Sequence, residues 1–280
     1  MRKRTWTCEQ AQAQARGRGQ ARAPVQVQGR TRESSRSGWP ATIVIFLALI
    51  GVWWLLSNFY PPYILPAPDK VIARLFTEVQ KGTLLGHLAV TAGESLIGLL
   101  LGASLALPFG YLLARYLWLE KAVSPYLVAS QAIPTVALAP LIIIWFGFGL
   151  ISKVLVAAMV AFFPICMNTI AGIRRVGRNQ YDLMRIFGAN TWQVFAKLEL
   201  PTALPVLLTG LRMGMAFSVI GAVVGEFASS DRGLGYLVNV SAGMMDTSLL
   251  FVALITLAIL GISFHLLFLL GERLLRRRRY

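Results

Sequence analysis

The chain carries little charge for its length. Of its 280 residues, 14% are Asp, Glu, Lys or Arg, whereas soluble domains contain about 25%. The shortfall is concentrated in long stretches without any charged residue, among them 122–152, 154–173 and 247–271. A helix rises about 1.5 Å per residue, so roughly 20 apolar residues cross the hydrocarbon core of a bilayer. Each stretch is long enough, which predicts an integral membrane protein and excludes an ordinary soluble domain.

Cysteine and histidine are also scarce, and their placement excludes several kinds of site. Cys8 lies in a polar tail and Cys166 in a predicted span, a pattern that indicates neither a disulfide framework nor a metal site. The two histidines, His87 and His265, lie apart and do not supply the convergent groups of a membrane enzyme. The sequence contains no Gly-x-x-x-x-Gly-Lys-Ser/Thr phosphate loop. We therefore expect no catalytic residue, metal, cofactor or ATPase activity in this chain.

Apolar runs of helical length recur along the chain. They predict an all-α membrane protein with six transmembrane helices, at about 41–58, 91–114, 123–146, 152–173, 205–227 and 248–271. Pro134 and Pro140 fall inside the third span, which should therefore be kinked or broken. Between the first two spans, Val71, Leu75 and Val79 recur at helical spacing opposite charged residues. This pattern predicts an amphipathic helix at the membrane interface.

Both ends of the chain are polar and basic. Residues 1–38 contain almost no large apolar side chain and cannot bury enough surface to offset the entropy of ordering, so we predict a disordered tail. The six-span domain then covers 39–275, and 276–280 form a second basic end. The first apolar run begins only at Ala41 and no small-residue cleavage site follows it. This favours a retained span over a signal peptide.

The net charge of +15 has two interpretations, nucleic-acid binding or the positive-inside bias of a membrane protein. If the amino terminus lies inside, the inner segments hold 21 of the 27 Lys and Arg residues and the outer segments hold five. The remaining one, Arg212, falls inside span five. This asymmetry predicts that both termini lie in the cytoplasm. It also explains the basicity, so we do not expect nucleic-acid binding.

A polar stretch at 174–204 separates spans four and five. It contains two short helical patterns joined at Gly188-Ala189-Asn190. Gly188 suits a left-handed helix end, and Asn190 can cap the next helix with Gln193 three residues later. The stretch is therefore predicted to form a helix-turn-helix that displays apolar residues on the cytoplasmic side. A loop packed on its own bundle is the alternative interpretation.

One spacing within this stretch favours a partner-binding role. Ala189 follows the glycine of this coupling loop, and the residues whose spacing matters are Asp182, Gly188, Leu198, Leu200 and Pro201. Their spacing resembles the signature loop of bacterial ABC importer permeases, which reads Glu-Ala-Ala, three residues, Gly, nine residues, Ile, one residue, Leu-Pro. Asp182-Leu183-Met184 stands in place of Glu-Ala-Ala and Leu198 in place of Ile, whereas the Gly and the Leu-Pro match. The location between spans four and five agrees as well.

Other segments extend the resemblance over about 60–275. Permeases of the nitrate, sulfonate and taurine type have similar segments to those at 64–68, 134–141, 145–147, 162–164, 168–169 and 233–237. That branch also includes permeases for vitamins and pyrimidine precursors. The resemblance implies a type I ABC importer permease fold in the bacterial plasma membrane. Because the spans carry little charge, it favours a neutral nutrient, such as riboflavin or a pyrimidine vitamin precursor, over nitrate, sulfonate or taurine.

The resemblance also implies partners and a mechanism. Two permease subunits, usually identical, would form a central pathway, and two cytoplasmic ATPase subunits would grip the short helix around Gly188. An external binding protein would deliver the substrate. An ion-coupled secondary transporter is the alternative from another class. Such transporters use buried carboxylates, and spans three, four and six contain none.

Candidates for lining the translocation pathway are Pro134, Pro140, Arg212 and Glu226. A broken helix exposes backbone groups that can line a cavity, although a kink without a ligand role fits equally. Arg212 lies about 10 Å into span five by helix rise, where it could face the pathway or reach the cytoplasmic surface. Glu226, at the other end of that span, is a candidate for an outer gate. Glu94 could contact substrate but is expected to face headgroups or polar groups of the bundle, and His265 is expected to be packed and neutral.

Overall fold

The fold is described from a computed structural model, which describes residues 39–277. The predicted disordered tail, 1–38, and residues 278–280 of the basic end lie outside the described residues. Residues 39–277 form eleven α-helices and one π-helical turn, with no strand. Packing divides the chain into two units at Leu49. Of the first unit, the described part is the amino-terminal half of the first helix; residues 50–277 belong to the second unit.

The helices follow one another through short connections. Their bounds are α1 Trp39–Ser57, α2 Pro68–Gln80, α3 Thr83–Arg115, α4 Leu117–Ala132, α5 Thr135–Phe146, α6 Leu150–Ile173, α7 Arg178–Ile186, α8 Thr191–Val194, α9 Leu200–Ser229, α10 Leu234–Gly243 and α11 Thr247–Arg277. The π-helical turn, Phe195–Glu199, joins α8 to α9 without interrupting the helical path.

Helices long and apolar enough to cross a membrane account for four of the six predicted spans. They are Thr83–Arg115, Leu150–Ile173, Thr191–Ala228 and Thr247–Arg273, which correspond to spans two, four, five and six. Two shorter apolar helices, Thr42–Ser57 and Ala137–Phe146, correspond to span one and to the second half of span three. That these two shorter helices also cross the membrane stays a prediction.

The predicted break in span three is confirmed. The helix α4 ends at Ala132, Ile133 has extended backbone, and α5 begins at Thr135, directly after Pro134. Proline has no N–H to continue a helix, and it disfavours helical backbone at the residue before it. Pro140 lies inside α5 without ending that helix. Pro134 therefore causes the break in span three.

The core of the bundle consists of three long helices that approach closely, α3, α6 and α9. A Cβ added at Gly98 of α3 would come within 2.5 Å of Ala157 Cβ on α6. A Cβ at Gly221 of α9 would lie 2.6 Å from Ala157 Cα. Small residues let helix backbones pack closely where lipid supplies no hydrophobic driving force. Glycine at these positions therefore lets α3 and α9 approach α6 closely.

The predicted amphipathic helix before span two is confirmed as α2. Pro68 occupies its first turn and Val71 is buried. Arg74 forms an ion pair of 3.0 Å with Asp246, which directly precedes α11. Glu78 accepts a hydrogen bond of 2.7 Å from the Thr83 hydroxyl at the start of α3. These contacts tie α2 to the ends of α3 and α11, and its position at the membrane interface stays a prediction.

Candidate functional site

The turn predicted at Gly188 joins α7 to α8. Gly188 has a φ of +66°, in the left-handed region. The N–H of Ala189 donates to the Met184 carbonyl and the N–H of Gly188 to the Arg185 carbonyl, both over 3.0 Å. No atom lies within 4 Å of the position that a Cβ would take. The backbone conformation, and not a packing contact, therefore favours glycine here. The left-handed helix end predicted from the sequence is confirmed.

The cap predicted at Asn190 is also confirmed. Its Oδ1 accepts a hydrogen bond of 2.8 Å from the N–H of Gln193, and Gln193 Oε1 accepts one of 3.0 Å from the N–H of Asn190. This reciprocal pair satisfies two backbone donors at the start of α8. The helix then widens into the π turn before Pro201, which has no N–H to donate to Lys197 four residues earlier.

Three large apolar side chains are exposed on α7 and at its end. The exposed fractions are 53% for Leu183, 80% for Ile186 and 75% for Phe187. Asp182, on the same helix, is exposed as well. A group of exposed apolar side chains rimmed by polar residues is typical of an interaction surface. We call these four residues the docking face.

The remaining residues predicted for the coupling loop are less exposed. Ala189, Leu198, Leu200 and Pro201 are all half-buried. Leu200 lines an apolar cavity of about 660 Å³, together with residues of α3, α6 and α8. The signature therefore has two parts, an exposed one on α7 and a half-buried one that joins α7 and α8 to the bundle.

A buried carboxylate that sequence analysis did not single out lies at this junction. Glu199, with an exposed fraction of 0%, accepts hydrogen bonds of 2.9 Å from Tyr111 Oη of α3 and 2.9 Å from Tyr181 Oη of α7. Arg115, the last residue of α3, forms an ion pair with the same carboxylate. Glu199 therefore connects α7 and α3 to the start of α9.

The hydroxyl of Tyr181 is held in its protonated form. Burial, and secondly the hydrogen bond to the neighbouring Glu199 carboxylate, raise the pKa of Tyr181 to about 12. The hydroxyl is therefore a hydrogen-bond donor throughout the physiological pH range. The sequence signal for this site is one acidic residue, Glu199, between Leu198 and Leu200 at the start of an apolar helix.

A cavity of about 460 Å³ opens beside the break between α4 and α5. Its polar and aromatic lining comes from Ser130, Phe163, Asn168 and Phe217, and Pro134 lines it as well. Among the four residues predicted to line a pathway, only Pro134 borders this cavity. Pro140 is exposed on α5. Arg212 is half-buried on α9 and makes no hydrogen bond or ion pair with another described residue.

The two acidic residues in the core helices lie in buried contacts. Glu226 is 1% exposed and accepts a hydrogen bond of 2.6 Å from the Thr91 hydroxyl. Glu94 is 2% exposed and pairs with Lys153 at 2.5 Å, so it faces polar groups of the bundle, one of the two environments expected. His265 is exposed on α11. The prediction that this histidine is packed is therefore wrong for the described residues.

The arrangement of helices is similar to that of a solved ABC importer. A structure described as an inward-facing conformation of the MetNI methionine ABC transporter superposes with a TM-score of 0.63. The match covers 71% of this chain and 98% of that chain, at 20% sequence identity. At that identity the likeness concerns the fold, which is the type I importer permease fold expected from the sequence.

Relatives of known name cover most of the chain. The riboflavin transport system permease protein RibX of Chloroflexus aurantiacus is 46% identical over 89% of this chain and 94% of its own length. The formylaminopyrimidine transport permease protein ThiX of Halalkalibacterium halodurans is 36% identical, over 78% of this chain and 88% of its own length. SsuC of Bacillus subtilis, named for aliphatic sulfonates, is 32% identical, over 81% and 83%.

The family itself is given by residues 106–279, which match the binding-protein-dependent transport system inner membrane component. This range contains α6 to α9, including the docking face and Glu199. It covers more than half of the chain, and the relatives extend the match toward the amino terminus. The chain therefore belongs to the family of binding-protein-dependent inner membrane components, the permease subunits of ABC importers.

Proposed function

We propose that this chain, as a pair of identical subunits, forms the membrane pathway of an importer for riboflavin or a pyrimidine vitamin precursor. The main support for this substrate class is the 46% identity to RibX over 89% of the chain. The 36% identity to ThiX points to the same group of nutrients. The 32% identity to SsuC makes a sulfonate the second candidate, with nitrate and taurine in the same group by resemblance.

The cavity beside Pro134 supports a neutral cargo with an aromatic ring system. Phe163 and Phe217 offer ring faces, and no charged side chain borders the cavity among the described residues. Asn168 donates from Nδ2 to the Pro164 carbonyl over 2.7 Å, and its side-chain oxygen makes no hydrogen bond with another described residue. That oxygen can accept from a heterocyclic N–H. An anionic sulfonate would meet no counter-charge in this cavity, and burying an unpaired charge is costly.

The docking face supports the proposal that two ATPase subunits bind the pair from the cytoplasm. Leu183, Ile186 and Phe187 present a contiguous apolar surface beside the Asp182 carboxylate. A complementary apolar groove with a basic rim would cover them. The segment 174–197 carries five Lys and Arg residues, which by the positive-inside rule places it in the cytoplasm in our proposal, together with both termini.

Glu199 supports a route by which movement of α7 reaches the spans. Displacement of α7 would pull on Glu199 through Tyr181, and Glu199 is covalently part of the helical path into α9. The same carboxylate holds Arg115 and Tyr111 of α3. We propose that ATP-driven movement of the docking face shifts α3 and α9 together through this junction. An external binding protein would deliver the substrate at the opposite end.

The substrate class can be tested in a bacterium that requires riboflavin and lacks its own uptake system. Cells producing this chain with its cognate ATPase and binding protein should take up labelled riboflavin or formylaminopyrimidine. The Asn168→Leu variant, which removes the side-chain amide from the cavity, should reach the same membrane level and take up several-fold less substrate. Uptake of taurine or an alkyl sulfonate, with neither vitamin nor precursor transported, would instead favour the second candidate.

The same cells can distinguish an ATP-driven importer from an ion-coupled secondary transporter. Uptake should stop when the ATPase carries a substitution in its phosphate loop, because the permease has no energy source of its own. Uptake that continues with an inactive ATPase but stops with a protonophore would support ion coupling and contradict the proposal.

A further inference from the structure

A buried group of ionisable side chains joins the three core helices at the end of the bundle remote from α7. We call it the carboxyl cluster, and it consists of Glu94 of α3, Lys153 of α6 and Glu226 of α9. Their exposed fractions are 2%, 6% and 1%. Lys153 Nζ lies 2.5 Å from Glu94 Oε1 and donates a hydrogen bond of 3.1 Å to Ser230 Oγ. The import mechanism proposed above does not use this cluster.

Glu226 is enclosed by the connection between α9 and α10. Its Oε2 accepts a hydrogen bond of 2.5 Å from the N–H of Gly235, and its Oε1 accepts from Thr91. The Thr91 hydroxyl accepts a further bond of 2.8 Å from the N–H of Leu234. A Cβ at Gly233 would collide with the Glu226 carboxyl group. The connection is therefore packed directly on this carboxyl and leaves no room for an additional side chain.

The charges of the cluster do not balance when every group is ionised. The carboxyl groups of Glu94 and Glu226 lie beside one another, and Lys153, which pairs with Glu94, is the one cation of the cluster among the described residues. Two carboxylates and one ammonium leave one negative charge buried without a partner, an arrangement that is strongly destabilising. Glu94 Oε2 is also buried and has no hydrogen-bond partner among the described residues. The neighbouring Glu226 carboxylate cannot donate to it when both groups are ionised, because an ionised carboxylate only accepts hydrogen bonds.

The other ionisable groups nearby do not supply the missing positive charge. His87 Nδ1 accepts a hydrogen bond of 2.9 Å from the N–H of Gly233, so this ring nitrogen carries no proton. Asp231 and Arg232 lie on the connection with side chains 89% and 76% exposed, and Arg232 is directed to solvent. One additional proton within the cluster would correct both the charge and the unpartnered oxygen.

We propose that the carboxyl cluster is a proton-binding site that holds one proton, carried by Glu94 Oε2 and shared with Glu226. With this proton, Glu94 donates to Glu226, which also keeps its bonds from Thr91 and Gly235. The one carboxylate charge that remains in the cluster is then matched by the one positive charge of Lys153. The proton is exchangeable because Lys153 borders an open cavity of about 440 Å³, which Ser230 also lines.

Infrared spectroscopy of the purified full chain in lipid tests the site directly. A protonated carboxyl gives a C=O stretching band that an ionised carboxylate lacks, and exchange into D2O shifts it. We expect this band in the unsubstituted chain. Glu94→Gln and Glu226→Gln should each remove it, because each leaves a single carboxylate whose charge Lys153 matches within the cluster. Lys153→Met should enlarge the band about twofold, since both carboxyl groups then lose their counter-charge and bind protons.

Asp231→Asn is the matched control, since it removes an exposed carboxylate beside the same connection and should leave the band unchanged. Unchanged elution on size exclusion establishes that each variant is folded, and either glutamine variant suffices if the other fails. The absence of a carboxyl band from the unsubstituted chain overturns the proposal without any variant. A band that survives glutamine substitution of these carboxyls, or that disappears in Lys153→Met, overturns it as well.

Discussion

Tyr181 of α7 donates a hydrogen bond of 2.9 Å to Glu199, the last residue of the π turn that precedes α9. The two residues are 18 positions apart, and the exposed turn at Gly188 lies between them. Because Glu199 also pairs with Arg115 of α3, this contact connects the docking face to two of the three core helices. The helix that we propose to bind the ATPase is therefore attached to the bundle by a specific polar link as well as by the chain itself.

Removal of that link should separate ATP hydrolysis from transport. Tyr181→Phe deletes the donor and keeps the ring, at a stability cost of about 1 kcal/mol for a lost buried hydrogen bond. We expect the reconstituted importer to hydrolyse ATP at a near-normal rate while transporting several-fold less substrate per ATP. Simultaneous measurement of phosphate release and uptake checks this ratio. Tyr126→Phe, at an exposed tyrosine of α4, is the control and should leave the ratio unchanged.

The turn at Gly188 should tolerate side chains according to their backbone preference. Space around the site is open, and φ is +66°. A residue with a Cβ costs about 1–2 kcal/mol in this conformation, and Asn less than others. Gly188→Asn should therefore retain most ATPase association and uptake. Gly188→Arg adds backbone strain and places a bulky cation beside the docking face. It should reach normal membrane levels but lose ATPase association and uptake.

Co-purification of the ATPase with each Gly188 variant provides the measurement. The small change Ala189→Ser, at the neighbouring half-buried position, serves as the reference and should have little effect. If Gly188→Arg kept full uptake at equal expression, the segment would not couple the ATPase to the permease. The alternative of a loop packed on its own bundle would then regain support.

The proposed orientation can be checked with single cysteines in a background lacking Cys8 and Cys166. Asp231→Cys occupies an exposed position in the connection between α9 and α10, whose side chain is 89% accessible. Tyr280→Cys occupies the end of the chain. Membrane-impermeant maleimide added to intact cells should label position 231 and leave position 280 unlabelled. The reverse pattern would contradict the orientation derived from the distribution of Lys and Arg.

Acidification should weaken α2 through Glu78. The hydrogen bond from Thr83 is the main cause that holds the pKa of Glu78 below its ordinary value of 4.5, with further contributions from Lys81 and Arg74. A carboxyl whose pKa is lower in the folded state stabilises the fold above the ordinary pKa, and this contribution is lost as the pH falls through the folded-state pKa. The thermal midpoint should therefore fall less on acidification in Glu78→Gln than in the unsubstituted chain.

Thermal unfolding in detergent between about pH 6 and pH 3 covers this range. Thr83→Val, which removes the main donor, should lie between the unsubstituted chain and Glu78→Gln. Asp231→Asn, at an exposed position, should show the pH dependence of the unsubstituted chain. Identical slopes for Glu78→Gln and the unsubstituted chain would show that Glu78 makes no such contribution.

Local features of the site were predictable because they depend on neighbouring residues. The left-handed turn follows from Gly188, the cap from Asn190 with Gln193, and the break in span three from Pro134. The long apolar helices follow from charge-free stretches of sufficient length. Each of these features is determined by residues within a few positions of one another.

Contacts between distant segments were not predictable. Tyr111 and Glu199 are 88 positions apart, and their hydrogen bond depends on how α3 packs against α9. Glu94 was assigned only a general polar environment, because no local pattern identifies Lys153 as its partner. His265 was expected to be packed, but α11 turns this face outward in the described part of the chain. A single sequence gives the hydrophobicity of a span but not which of its faces meets another helix.

Reconstitution of the complete importer tests the central claim most directly. The proteoliposomes contain this chain and its ATPase, and the binding protein is added on the substrate side and ATP on the ATPase side. They should accumulate labelled riboflavin or pyrimidine precursor. Accumulation should require all three proteins and hydrolysable ATP, and the permease alone should hydrolyse none. Accumulation that proceeds without ATP or without the ATPase, driven by an ion gradient, would contradict the assignment of this chain as the permease of an ATP-driven importer.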